Sequence, residues 1–299
     1  MKKVTRVKKI DVHAHAILFQ EYEFPAHITM TPEQLIGVYD AINVEKGVLM
    51  PITSPECQTL VMSNGNTCEL THMYPTRFLW FCNVDPRLGQ NSPKTDLSEY
   101  LLFYKNLGAK GMGELTANLY VDDPLMDNLF HHCEECDMAV TIHIAPEKGG
   151  YYGIVDEVGL PRLEKMLNKH PKLKIFGHSQ AFWAEISSDC TQESRGIYPT
   201  GKIKEGRLAQ LLRDHENLYC DMSANSCFNA MTRDPDYTDR FIDEFGDRMM
   251  YGIDACLPAD PQVKGMSALL DQLVDEGRIS EVHYHGICRE NAERILKLQ

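Results

Sequence analysis

The chain of 299 residues has no unbroken apolar stretch of about eighteen residues, so nothing in it reads as a membrane-spanning helix. It has no excess of positive charge either. Thirty Lys and Arg stand against 43 Asp and Glu, a formal net charge of −13. Such a chain lacks the basic face that nucleic acid or an anionic membrane surface requires. No glycine-rich turn follows the first apolar run, where Ala16-Ile17-Leu18-Phe19-Gln20 stands instead, so the dinucleotide-binding signature is missing. Internal repeats, low-complexity tracts and Pro/Gly/Ser-rich linkers are also missing, and one domain over 1–299 is the expectation.

The N-terminus, MKKVTRVKKI, carries the charge of a secretory leader but no apolar segment behind it, because Asp11, His13 and His15 interrupt the run. It reads as a mature start and hence as a cytoplasmic protein. Ten cysteines are then expected as thiols. Cys133 and Cys136 form a CxxC without the second pair that a zinc finger needs. Cys133 falls in register with Leu125, Met126, Leu129 and Phe130, so the pair reads as buried helix residues.

What the sequence does contain is alternation. Short runs rich in Val, Ile, Phe, Tyr and Met, at 7–14, 46–52, 77–84, 109–115, 138–144, 173–178, 218–223 and 248–254, read as strands. Segments with helical spacing lie between them. Thr31-Pro32-Glu33-Gln34 reads as a capping box that opens a helix to about Asn43. Further helices are expected over 95–107, 160–170, 203–214, 236–245, 265–275 and 288–298. The segment 55–74 is ambiguous because Asn64-Gly65 interrupts it. Eight strands alternating with helices call for a parallel sheet covered on both faces, and eight strands close a (β/α)8 TIM barrel of about 250 residues plus insertions. Long segments follow the first, fifth and sixth strands. In a barrel these would lie on the active-site face.

Asp11-Val12-His13-Ala14-His15 is the strongest local signal. Residues two apart in a strand point the same way, so His13 and His15 aim two imidazoles into one space, half of a zinc site. Four other strands end in ligand-type residues: Glu114, His143, His178 and Asp254. Each follows an apolar run that should be buried, where a charge or imidazole is costly unless paired or metal-bound. Five strands ending alike have a common explanation in metal binding. Glu114 reads either as a bridge between two ions or as a carboxylate orienting a ligating histidine.

Ile10-Asp11-Val12-His13-Ala14-His15, the stretch Pro75–Pro86, Gly108-Ala109-Lys110-Gly111, and His170-Pro171 leading to Gly177-His178 together resemble the amidohydrolase superfamily, within it the amidohydrolase-2 group of hydrolases and decarboxylases. Glu216–Ser223, Gly246-Asp247-Arg248 leading to Asp254, and Asn291–Leu296 continue the likeness. The resemblance implies a metal-dependent (β/α)8 barrel in which His13, His15, His143 and Asp254 ligate or contact a divalent ion. It makes His178 a second-metal ligand or a substrate-contacting acid/base, and Glu114 a bridging carboxylate as in TatD-like members.

The expected activity is a metal-dependent hydrolase opening an ester, lactone or amide of a small organic substrate, with Asp254 and His178 as the catalytic pair. A non-oxidative decarboxylase of a small carboxylic acid is the alternative. A TatD-like phosphodiesterase and a vestigial metal-binding protein rank below both. The cofactor is one or two divalent ions, Zn2+ first and Mn2+ second. The expected partners are a small-molecule substrate, carboxylate included, and further copies of the chain in a homo-oligomer. Trp183, Arg195, Tyr152 and Arg233 lie on the long segments as substrate-contact candidates. His27, His131, His132, His283 and His285 fall outside the strand-end pattern and are not expected to ligate.

Overall fold

A computed structural model describes residues 4–18, 29–56 and 61–298. His27 and Cys57 lie outside them, as does most of the segment after the first strand. All eight expected strands are present: β1 (Lys9–Ala14), β2 (Val44–Leu49), β3 (Phe78–Trp80), β4 (Gly111–Leu115), β5 (Ala139–Ala145), β6 (Ile175–His178), β7 (Leu218–Asp221) and β8 (Met249–Met250). Every neighbouring pair is parallel, in the runs β1-β2-β3 and β4 through β8. Backbone hydrogen bonds join the two runs. Cys82 N–H donates to Gly111 O at 3.0 Å and Gly113 N–H to Cys82 O at 2.8 Å. At the other seam Val12 N–H donates to Tyr251 O at 3.0 Å and Asp254 N–H to His13 O at 2.9 Å. The strands therefore form a closed barrel, and a two-residue strand, Ile154–Val155, adds to β5 outside the wall.

Helices cover the wall. Thr31 caps α1 (Pro32–Ala41) through the full capping box. The ambiguous segment holds α2 (Asn64–Met73), whose N-terminus is fixed by Ser63 Oγ accepting from Asn66 N–H. Asn64 and Gly65 are thus the first turn of a helix rather than a break. Cys133 and Cys136 are free, buried residues in and just after the helix Pro124–Glu135.

Two apolar clusters fill the molecule. The larger lies between wall and helices. The smaller fills the barrel itself, with Ile10, Val12, Val48, Phe81, Phe176 and Met250 pointing inward and Ala292, Ile295 and Leu296 of the C-terminal segment plugging its floor. A filled barrel leaves chemistry to its rim. Phe176 is fully buried, with its ring centroid 6.3 Å from that of Phe81. Phe176→Ala is expected to cost about 3–5 kcal/mol, read as a lower denaturant midpoint at constant slope.

The seam between β1 and β8 carries a buried carboxylate. Asp11 Oδ1 accepts from His13 N–H at 3.0 Å and Ile253 N–H at 2.9 Å, and its Oδ2 accepts from Tyr39 OH at 2.7 Å. Tyr39 reaches it only because position 47 is glycine. A Cβ there would lie 1.9 Å from the phenolic oxygen.

Candidate active site

The strand ends converge at one mouth of the barrel. His13 is fully buried, and its Nδ1–H donates to Asp221 Oδ2 at 2.6 Å. His15 Nδ1 lies 2.9 Å from Met50 O. A carbonyl can only accept, so that nitrogen carries the proton. Both hydrogen bonds leave the two Nε2 atoms facing inward, 3.1 Å apart. Asp254 Oδ1 stands 3.7 Å from His13 Nε2 and 3.5 Å from His15 Nε2, and Glu114 Oε2 stands at the same two distances. Ligand bonds of about 2.0–2.2 Å give tetrahedral donor–donor edges of roughly 3.3–3.6 Å. The spacing and the imidazole–carboxylate chemistry of this donor set fit a divalent cation.

A second cluster adjoins the first. His143 and His178 stand opposite each other in the β5–β6 register. Glu114 Oε1 is 2.6 Å from His143 Nδ1 and 3.7 Å from His178 Nε2. Asp254 Oδ2 is 3.4 Å from His178 Nε2. Ser223 Oγ holds His178 Nδ1 at 2.9 Å. Each carboxylate thus spans both clusters with one oxygen in each. Asp254 is turned inward on a left-handed backbone, φ 45°, which its N–H bond to His13 O stabilises.

The charges are mutually adjusted. Burial pushes the His13 pKa down, but Asp254 and Asp221 outweigh it and hold the imidazolium well above its usual range. Burial pushes Glu114 up, yet His143, His13 and His15 hold its carboxyl well below the carboxylate range. Asp254 is likewise lowered by His13 and His178 against its burial. Burial lowers the His143 pKa more than Glu114 raises it, which favours the neutral ring that a metal ligand needs.

Among the described residues the six expected ligand positions therefore lie together, and the structure adds Asp221 to them. Asp221 ends β7 after Leu218-Tyr219-Cys220, the same pattern of a polar residue closing an apolar strand. That pattern was the signal available for it. It is fully buried and orients His13. Removing such a partner typically costs about 10–100-fold in metal affinity. Asp221→Asn is expected to show that loss in a metal titration while its unfolding midpoint stays within a few degrees of the parent.

Two substrate-contact expectations are corrected. Trp183 is 2 % exposed, its indole N–H donates to Asp221 O at 3.1 Å, and it packs against Phe182 and Phe241. Arg195 is fully buried, donating to Asp156 O at 2.5 Å and lying 3.8 Å from Glu185. Neither reaches the mouth, because the segment after β6 folds down and buries both. Arg233 is half-buried beside Trp183 and Tyr198 and does not line the main cavity. Tyr152 does. Its ring lies 4.4 Å from that of His143, on the wall of a cavity of about 390 Å3 shared with His178, Asn225, Ser226 and Asp254.

Residues 106–298 match the family model described as Amidohydrolase. The chain belongs to this amidohydrolase family. No curated protein sequence matches it. The fold is similar to an uncharacterised TIM-barrel protein, Bb4693 of Bordetella bronchiseptica, at TM-score 0.65 and 16 % identity over 97 % of this chain and 99 % of that one. It is similar to the 5-carboxyvanillate decarboxylase LigW of Sphingomonas paucimobilis, at 0.62 and 18 % over 98 % and 100 %. It also matches a probable 2-pyrone-4,6-dicarboxylic acid hydrolase of Acinetobacter baumannii, at 0.59 and 14 % over 98 % and 100 %. At these identities the likeness establishes the barrel, and the amidohydrolase chain must be read from its own rim. No helix among its described residues is long and apolar enough to cross a membrane.

Proposed function

We propose that this amidohydrolase is a metal-dependent hydrolase of an ester, lactone or amide bond in a small organic acid, with two divalent cations. The observation that carries this reading is the division of Glu114, one oxygen toward His13 and His15 and the other toward His143 and His178. His13, His15 and Asp254 Oδ1 would hold one ion, His143 and His178 the other, with Glu114 between them. Bound there, divalent cations would supply Lewis acidity that brings the pKa of water down to about 7 and polarises a carbonyl. Zinc suits the imidazole-rich shell, and manganese suits the carboxylates nearly as well.

The chain's own residues then move the protons. Asp254 Oδ2 faces the cavity beside His178 and takes the proton of the attacking water, then returns it to the leaving group. Ser223 bonds Nδ1 of the His178 ring and so leaves its Nε2 free to hold the cation beside His143. Tyr152 screens His143 from water at the mouth.

Cation uptake must displace the proton that Asp254 and Asp221 hold on His13. Affinity is therefore expected to weaken as pH falls, by about tenfold per pH unit for each proton released, and to level off only above the raised His13 pKa. Titrations in buffers of different ionisation enthalpy would read the proton directly.

A decarboxylase with a single cation is the second reading. The close His143–Glu114 hydrogen bond favours it, because a histidine nitrogen that donates a proton to Glu114 is not also a ligand. Similarity of the barrel to LigW adds to it. Metal analysis of protein purified with excess zinc or manganese separates the two. Two ions per chain, with acid release from a lactone and ester panel, supports hydrolysis. One ion, with carbon dioxide release from aromatic carboxylates, overturns it.

A further inference from the structure

Backbone hydrogen bonds carry the seam between β3 and β4 as far as Gly113, whose N–H donates to Cys82 O at 2.8 Å. One residue further along each strand, the join passes to a side chain. Asn83 Nδ2 donates one hydrogen to Glu114 O at 2.6 Å and the other to Pro51 O at 2.9 Å. Both partners are carbonyls, which only accept, so the nitrogen of this amide faces them and its oxygen does not. Pro51 follows Met50, whose carbonyl accepts from His15 Nδ1–H. A single amide thus ties the stretch that orients His15 to the residue whose Oε2 stands 3.5 Å from His15 Nε2.

Asn83 is itself held. Asn64, the first residue of α2, accepts from Asn83 N–H at 2.7 Å through Oδ1 and donates to Asn83 O at 2.8 Å through Nδ2. Asn83 is 2 % exposed, and its Oδ1 is enclosed with no hydrogen-bond partner among the described residues. A buried oxygen left unpaired costs free energy. The site bears that cost and uses the amide for its two hydrogens. Aspartate has the same shape but only accepts, so it would set its oxygens against two carbonyls.

We infer that Asn83 is a positioning residue for Glu114: by fixing the Glu114 and Pro51 carbonyls to one nitrogen, it holds the Glu114 carboxylate at the spacing from His15 that a shared cation requires. Asn83 does not line the 390 Å3 cavity, so it acts through Glu114 and not on substrate. The inference rests on the reading of Glu114 as a cation ligand and adds what keeps that ligand in place. Released from Asn83, Glu114 is expected to settle on His143, its partner at 2.6 Å, and to leave His13 and His15 with Asp254 alone.

The test is a double-mutant cycle on metal affinity, read by titrating chelator-treated protein with Mn2+ and with Zn2+. Asn83→Asp is expected to weaken cation binding by about 10–100-fold, the usual loss when a group that orients a ligand is removed. In Glu114→Gln protein the same substitution is expected to change the affinity of the remaining ion by less than about twofold, because the residue it acts through is already gone. Asn83→Ala removes the two hydrogens without adding charge. It is expected to give a smaller loss with the same non-additivity, and it carries the cycle if the Asp variant does not fold. Parental affinity in the folded variants overturns the assignment. So does an equal loss with and without the Glu114 carboxylate, which marks a residue that only supports the fold. These readouts need no turnover. The number of ions bound by the parent tests the hydrolase reading separately: a single ion sinks that reading, and the cycle still decides whether Asn83 acts through Glu114.

Discussion

Asp254→Asn is expected to lower kcat by about 10²–10⁴-fold, the usual span for losing a positioned proton carrier. The substitution keeps the shape and the inward turn of the backbone. It removes the acceptor Oδ2 that faces His178 at 3.4 Å and the charge that, with Asp221, holds the His13 proton. KM should move far less than kcat, because the residue acts on the proton in flight. The acid limb of the pH–rate profile should disappear with it. Metal content measured alongside separates the two duties of this carboxylate. If added zinc or manganese restores full occupancy and the rate stays low, the proton role stands. A variant that turns over at the parental rate with full occupancy ends it.

Glu114→Gln should have the second large effect. The carboxylate sits between two histidine pairs, with oxygens 3.5 Å from His15 and 2.6 Å from His143. An amide keeps the volume but presents one oxygen rather than two, and a neutral one. Bound metal is expected to fall from two ions per chain to one, and kcat by about 10²-fold or more as one Lewis-acid centre is lost. Elemental analysis and initial rates read both. Should the parent itself bind one ion and the variant retain that ion and its rate, Glu114 is merely the hydrogen-bond partner of His143. The hydrolase reading would then give way to the decarboxylase.

The barrel, and the meeting of the six expected residues at its rim, were readable because both rest on local rules. Each strand announced itself by a β-rich run, and a polar residue closing such a run marks the rim, as at His143 and Asp254. Strand limits were less readable. The run 248–254 contains only two residues of regular strand, Met249 and Met250, because the chain then leaves the wall toward Asp254. The helix Ala224–Thr232 escaped notice, since Ala-Asn-Ser-Cys-Phe-Asn-Ala-Met-Thr is poor in strong helix formers and forms by packing on its neighbours. Trp183 and Arg195 misled for the opposite reason. Residue type in a long segment says nothing about whether that segment lies on the surface or folds beneath it, and here it folds beneath. The uncapped start of the helix Ala224–Thr232 is a property of three dimensions. Ser223 is a natural N-cap in sequence and is drawn away by a histidine on another strand.

The seam held by Asp11 has a bearing on how the protein comes into being. Its two backbone partners, His13 and Ile253, belong to opposite ends of the chain, and Asp11 and Ile253 are 242 residues apart. A polypeptide still emerging from the ribosome can build most of the wall but cannot join its first strand to its last. It cannot yet bring Asp254 beside the imidazoles. The rim cluster should therefore assemble only once Ile253 and Asp254 have been made, and a chain interrupted before them should lack it however much of the wall has folded.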